Sequence, residues 1–442
     1  MKNSSIYKQN LFLAIPIMLS SLGQCLVQMV DTLMVGRLGT IPLAGISFAG
    51  SMTYNVLVIG MGISMALTPL TGQSFARKEY DKVSRLLKNS ISLNSIISLV
   101  LVGILLGFLP LLPYFGQDQQ VIDICKPYYL IVTFSFIPMM LFLSFKQFME
   151  GIDNTKIAMI ITLSSNVLNI ILNYIFIFGK LGCEAMGLFG AGLSTFISRL
   201  LCPIAFYLYL IYNKEYKSYI KSLSQHRLSR HLHKILLQTG LPIAGQMFVE
   251  MFSLFFITIM MGWISATHLA SFQIISTMVS TTFLAASGIC AATTVLISHA
   301  YGIKDFKLMK LNYFCGWKMT LSIMGCFALV FIFLGRYIAM LFSSDSLVVE
   351  YAAQFFVVAG IFQLIDGTQI SGLAALRAIN DVTKPFFYAV FSYLVIAIGV
   401  AYLLGFVIDL PPWSIFAGFL VGLLVAGILY HKRFHHMYKL LS

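Results

Sequence analysis

The stretch Leu11–Val35 reads LFLAIPIMLSSLGQCLVQMVDTLMV and decides the fold, because it is apolar almost throughout and contains one formal charge, Asp31. At about 1.5 Å per residue, a helix of this length crosses a bilayer core of roughly 30 Å. A carboxylate inside such a span is costly, so it usually faces a bundle interior or a water-filled path. Ser20, Gln24 and Gln28 precede Asp31 at helical spacing and extend it into a polar stripe. The alternative is a side chain that reaches outward from a helix end, which a short Asp does poorly.

The chain as a whole has the composition of an integral membrane protein. Of its 442 residues 59% are hydrophobic and 10% are charged, with a mean hydropathy of +0.88. A soluble domain of this composition lacks a polar coat, and the absence of strand patterns leaves an all-α bundle. Hydropathy predicts about twelve transmembrane helices, at 11–36, 43–71, 89–113, 127–149, 157–179, 187–212, 236–262, 269–300, 313–335, 350–376, 384–408 and 411–431.

The net charge of +13 is a topology signal rather than a sign of nucleic-acid binding. Basic residues cluster in alternate loops, around 77–88, 213–234 and 304–310, and in both tails. This positive-inside pattern predicts a multi-pass protein of the inner (cytoplasmic) membrane with both termini cytoplasmic. The first apolar run is too long for a cleaved signal peptide, and the seven scattered cysteines contain no C-x-x-C pair.

The sequence repeats itself after about half its length. Pro16 aligns with Pro242, and the same shift of 226 positions aligns Gly62 with Gly288 and Lys78 with Lys304. Six spans in each repeat bring both halves into the membrane from the same side, so their symmetry axis should lie along the membrane normal. We therefore predict two pseudo-symmetric six-helix bundles, an N-lobe at 1–212 and a C-lobe at 235–442, joined by a basic cytoplasmic linker at 213–234.

Three acidic residues lie deep in predicted spans. They are Asp31, Glu250 and Asp366, and a mid-span Asp costs about 2.5–3.5 kcal/mol to insert. Neutral oxygens around Asp31 would suit a hard monovalent cation, and burial would equally suit a proton carrier. Arg199 could pair with an acid or with backbone carbonyls. Neutral polar residues of the fifth and sixth spans that could converge on Asp31 are Thr162, Asn166, Asn169, Asn173 and Thr195.

Five segments of the chain are distinctive. They are VDTLMVGRLGTIPLAG (30–45), NVLNIILNYIFIFG (166–179), GLFGAGLSTFISR (187–199), GLPIAGQMFVE (240–250) and FQLIDGTQISGLAALRAIND (362–381). In these segments the chain resembles the MATE (multidrug and toxic compound extrusion) family, in its bacterial NorM-like branch. The resemblance covers essentially the whole chain and implies twelve helices in two lobes that open a central cleft alternately to either side. By position it implies a cation site of Asp31 with Asn169, Asn173 and Thr195, and a second pair of acids, Glu250 and Asp366.

The expected function is export of cationic amphiphilic drugs in exchange for Na⁺ or H⁺, with no cofactor, by a monomer that binds no nucleic acid. No P-loop, H-E-x-x-H or G-x-S-x-G motif is present, so the energy should come from an ion gradient. The alternatives are a flippase for lipid-linked or polar substrates, expected to line its cavity with arginines, and an intramembrane enzyme. Substrate-cleft candidates are Gln24, Gln28, Gln246, Gln273 and Gln363.

Overall fold

The computed structural model describes residues 3–219 and 226–442, and that part of the chain contains helices and no strand. Residues 220–225 of the predicted linker, and Lys2 in the N-terminal tail, lie outside it. Twelve of its helices are long and apolar enough to cross a membrane, which confirms the predicted fold class. These spans, α1 to α12, are Ser5–Gly36, Thr40–Ala76, Tyr80–Phe115, Gln119–Gly151, Thr155–Phe178, Gly187–Tyr212, Arg230–Ile264, Ala266–Gly302, Phe306–Phe342, Ser346–Ala378, Thr383–Val407 and Trp413–Leu441.

Several spans are interrupted rather than continuous. α2 breaks between Ser64 and Leu67, and α4 breaks at Ser135. α11 contains two π-helical stretches, Val390–Ala397 and Leu403–Val407, whose wider turns shift the direction of the side chains that follow. The breaks leave backbone groups that neighbouring helices and side chains can satisfy within the membrane.

The helices form two compact units. One unit consists of the segment that ends at Met18 together with Gly245–Ser442, and the other consists of Leu19–Ala244. Two long helices, α1 and α7, therefore contribute to both units. The lobes at 1–212 and 235–442 follow the sequence repeat and stay a prediction. The two compact units in the structure instead divide the chain inside α1 and α7.

The points at which α1 and α7 pass from one unit to the other, here called crossing points, occupy equivalent places in the two repeats. Met18 and Ala244 end the first parts of α1 and α7 and are 226 positions apart, the shift that also relates Pro16 to Pro242. Each proline lies two residues before its crossing point. Because proline removes one i→i−4 hydrogen bond, each helix has a bendable site next to the point where it changes unit.

The first part of α1 is buried in the unit formed with Gly245–Ser442. Leu13 and Ala14 pack with Ile289 and Ala292 of α8 in one apolar cluster. The Asn10 side-chain amide donates to the Thr293 hydroxyl over 2.9 Å, and both residues are buried. A buried polar group needs such a partner, so this bond fixes α1 against α8 at its membrane entry.

The turns after α2 and α8 confirm the repeat at the level of single backbone bonds. Lys78 and Lys304 both have a positive φ, 61° and 60°. Each donates its N–H to the carbonyl three residues before, and the next residue donates to the carbonyl five residues before, at 2.9–3.1 Å. This is the Schellman motif that ends many helices, and glycine is the preferred residue at its left-handed position.

Glycine in place of Lys304 is expected to stabilise the protein by about 1 kcal/mol, because a side chain is disfavoured at positive φ. The measurement is the midpoint of thermal denaturation in detergent. Lys307→Gly is the matched control, since it removes the same charge from an exposed position inside α9 and should destabilise by up to about 1 kcal/mol. Equal shifts in both variants would contradict the strain at Lys304.

Candidate functional site

A carboxylate and two amides meet inside the unit Leu19–Ala244. The Asn173 amide nitrogen donates to Asp31 Oδ1 over 2.5 Å and to Asn169 Oδ1 over 3.0 Å. Asn169 and Asn173 are buried one turn apart on α5, and Asp31 reaches them from α1. The structure therefore brings together three of the residues that the sequence singled out around Asp31.

One oxygen in this cluster lacks a partner. Asn173 Oδ1 is buried and accepts no hydrogen bond from the described residues. Within the same ranges, Asp31 has no salt bridge within 4.0 Å. A carboxylate beside an unused amide oxygen forms the start of an oxygen site for a hard cation. The same carboxylate can also accept a proton.

The remaining candidates of this unit have other contacts. Thr195 donates its hydroxyl to the Ala191 carbonyl of its own helix over 3.0 Å, and Thr162 bonds in the same way to Ala158. Neither hydroxyl hydrogen-bonds to Asp31 in the described structure. The Asn166 side-chain nitrogen is buried without a partner among the described residues.

Arg199 is held by a hydroxyl group rather than by an acid. Its Nη1 donates to Ser135 Oγ over 2.8 Å, at the break in α4. Its charge nevertheless lies within electrostatic range of Asp31. Because Ser135 is fully buried, this bond ties α6 to the broken helix and fixes a positive charge beside the Asp31 cluster.

The unit that contains Gly245–Ser442 has its own pair of carboxyl groups. Glu250 lies on α7 and Asp366 on α10, and Asp366 is 2% exposed. In the described parts of the chain neither forms a hydrogen bond or a salt bridge within 4.0 Å. Burying an acid without a partner is costly, so such groups usually serve a function.

Arg377 completes this cluster and is not among the site residues predicted from the sequence. Its Nη2 donates to Gln246 Oε1 over 2.6 Å, which links α10 to α7 one turn before Glu250. Its charge lies within electrostatic range of Glu250, and its Nε is buried without a partner among the described residues. Arg377 follows the predicted span 350–376 by one position, so it had the signature of an ordinary basic residue at the membrane edge. It lies eleven residues, or about three helical turns, after Asp366 and therefore on the same face of α10, and this spacing was an available signal.

The predicted substrate-cleft glutamines fall into two groups. Gln363 is fully buried and donates to Thr282 of α8 over 2.7 Å, and Gln246 is held by Arg377 as described. Both connect helices within their unit. Gln28 and Gln273 are exposed and Gln24 is half-buried, so these three side chains are open to a ligand.

Comparison with known proteins gives a consistent assignment. The profile of the MatE family matches residues 16–175 and 242–403, and the two matches begin 226 positions apart. The chain is 28% identical to the "Probable multidrug resistance protein NorM" of Photorhabdus laumondii, covering 96% of this chain and 94% of the relative. It is 30% identical to the protein of the same name from Rhodopseudomonas palustris, covering 97% and 91%.

Solved structures agree on the fold. A transporter of the MOP superfamily from Pyrococcus furiosus superposes with a TM-score of 0.90 at 19% identity, covering 99% of this chain and 96% of that one. An outward-facing multidrug resistance transporter of the MATE family gives 0.89 at 19% identity, covering 100% and 99%. With two carboxylate clusters inside membrane-spanning helices and a family profile that matches most of both repeats, the chain belongs to the MatE family and is a membrane transporter, not an enzyme.

Proposed function

We propose that this transporter exports cationic amphiphilic drugs and dyes across the cytoplasmic membrane in exchange for Na⁺ or H⁺, as a monomer with both termini cytoplasmic. The observation that carries the proposal is the Asp31 carboxylate, which is bonded to the neutral Asn173 amide and has no ion pair among the described residues. Its charge is therefore available to a cation. The relatives named as multidrug resistance proteins support the substrate class.

Coupling follows from competition for the carboxylates. A proton on Asp31, or a Na⁺ held by Asp31 and the unused Asn173 oxygen, cancels the charge that attracts a cationic drug. Because coupling free energy is reciprocal, the drug must then weaken ion binding by the same factor. One carboxylate thus ties drug release to ion uptake without any covalent step.

Glu250 and Asp366 supply the second negative region. Arg377 holds Gln246 and leaves both carboxyl groups without a direct ion pair, so the cluster carries a net negative charge when both are ionised. A lipophilic cation is attracted to such a region within apolar surroundings. We propose that these acids contribute to drug binding and that Asp31 dominates ion coupling.

The flippase alternative is not favoured by the arginines. That function was expected to need guanidinium groups facing an anionic substrate. Arg199 and Arg377 are instead held by Ser135 and Gln246 inside their own units. The charge of Arg199 lies within electrostatic range of Asp31, and that of Arg377 within range of Glu250.

Transport in everted membrane vesicles tests the proposal, with ethidium or norfloxacin as substrate and with the Na⁺ and pH gradients imposed independently. We expect drug accumulation in response to one of the two gradients, and collapse of that gradient should stop it. Vesicles that contain Glu250→Gln/Asp366→Asn should accumulate about tenfold less drug, since two attractive charges are lost. Wild-type accumulation without either gradient would contradict antiport, and transport of an anionic lipid-linked substrate alone would favour the flippase.

A further inference from the structure

The N-terminal end of α7, which is cytoplasmic in the topology that we propose, carries a cavity that plays no part in the carboxylate clusters. Its volume is about 530 Å³, and the residues that line it lie on one face of the helix. The first turns contribute Arg230, His233 and Lys234, and the following turns contribute Leu237 and Leu241. The spacing of three and four residues makes this face one continuous stripe, basic at one end and apolar at the other.

The basic end has no negative partner among the residues that the structure describes. Arg230, His233 and Lys234 form no side-chain hydrogen bond or salt bridge with the residues that the structure describes. The adjoining segment 220–225, which lies outside that description, contains no acidic residue in its sequence. Moreover, His233 Nε2 is buried without a hydrogen-bond partner among the described residues. Two cationic side chains and an imidazole, none of them paired with an acid among the described residues, therefore line one cavity.

The apolar end is exposed. Leu241 is 54% exposed, and Pro242 extends the lining one residue further along α7. An apolar side chain this exposed on a membrane-spanning helix is available to an acyl chain. A ligand that matches both ends carries a negative headgroup and, one to two helical turns deeper, an acyl chain.

We propose that this cavity binds an anionic phospholipid of the cytoplasmic leaflet, with its phosphate between Arg230, His233 and Lys234 and its acyl chain along Leu237 and Leu241. Clusters of basic residues next to a membrane-spanning helix attract anionic headgroups over zwitterionic ones. The site lies on the part of α7 that belongs to the unit Leu19–Ala244. The lipid would thus bind the unit Leu19–Ala244, on the part of α7 that ends at Ala244.

Native mass spectrometry of the full-length chain in detergent tests the proposal, with phosphatidylglycerol and phosphatidylethanolamine as probes. We expect about tenfold preference for phosphatidylglycerol in the wild type, and loss of that preference in Arg230→Gln/Lys234→Gln. The matched control is Lys217→Gln/Arg227→Gln, which removes two exposed charges from the same linker region outside the cavity. This control should keep the preference. A Leu241→Ser variant should bind phosphatidylglycerol several-fold more weakly.

Four outcomes would overturn the proposal. The first is equal binding of both lipids by the wild type. The second is a retained preference for phosphatidylglycerol in Arg230→Gln/Lys234→Gln, and the third is an equal loss of that preference in the control Lys217→Gln/Arg227→Gln. The fourth is displacement of the lipid by inorganic phosphate or glycerol phosphate at equal concentration, which would assign the basic end to a soluble phosphate. A thermal denaturation curve without added lipid shows whether each variant is folded, so a loss of binding is not confused with unfolding.

Discussion

Drug efflux is expected to fall by on the order of 100-fold when Asp31 is replaced by Asn, because in the antiport that we propose the substitution removes the charge that binds the coupling ion. A 100-fold loss corresponds to about 2.7 kcal/mol, which lies within the roughly 4 kcal/mol that a unit charge 4 Å from a cation is worth at an effective dielectric of about 20. Asn has nearly the shape of Asp, so the packing of α1 against α5 should persist. The measurement is the initial rate of ethidium transport in everted vesicles, with the quantity of protein normalised.

Two further variants separate the role of the charge from a general effect. Asp31→Glu keeps the carboxylate and should recover part of the rate. Asp409→Asn removes an acid from an exposed position with a φ of 59°, a conformation that Asn tolerates well, and should transport like the wild type. Wild-type efflux by Asp31→Asn would disprove the assignment of Asp31 as the coupling carboxylate. A gel-filtration profile like that of the wild type shows that the variant is folded.

The second large effect is expected at the contact between α11 and α12. A Cβ added to Gly418 would lie 2.4 Å from both the Cα and the backbone nitrogen of Ala401. Backbone atoms cannot rotate away as a flexible side chain can. Gly418→Ala should therefore lower the free energy of unfolding by about 3 kcal/mol or more, at the upper end of overpacking effects. The measurement is the midpoint of thermal denaturation in detergent.

Gly399 provides the matched control for Gly418, since it lies on α11 and a Cβ at this position would meet no atom within 4 Å. Gly399→Ala should leave stability unchanged or raise it by up to about 1 kcal/mol through helix propensity. Gly422, one turn after Gly418, is equally close to Ala397 and should behave like Gly418. A tolerated alanine at Gly418 would show that the backbone of α11 around Ala401, between the two π-helical stretches, can move aside.

The spans were predictable because a membrane-spanning helix must be apolar for about 20 residues. The ends of the spans were not predictable, because the helices continue beyond the apolar residues that hydropathy detects. The ninth span was predicted at 313–335, whereas α9 extends over Phe306–Phe342. Asp305 caps its start by accepting from the Leu308 N–H over 2.9 Å, outside the apolar window. The π-helical turns of α11 likewise leave no signature in hydropathy.

Part of the candidate site was also predictable from a pattern within one helix. Asn169 and Asn173 repeat at helical spacing on an apolar helix, so their common face could be read from the sequence. The bond from Arg377 to Gln246 could not, because it joins residues 131 positions apart and depends on how α10 lies against α7. Similarly, Thr195 has the right residue type, but its hydroxyl is satisfied within its own helix. Sequence spacing identifies candidates on one helix and does not show which helices meet.

The exchange of helix segments between the two units has a consequence for synthesis. Asn10 in the first part of α1 bonds to Thr293, which is 283 residues later in the chain. At about 5–20 residues per second, the ribosome produces Thr293 roughly 15–60 s after Asn10. During this interval the first part of α1 is in the membrane without the helices that bury it. The nascent transporter therefore passes through a long-lived state with an incomplete N-terminal helix, and a stalled or truncated chain would leave Asn10 exposed to lipid.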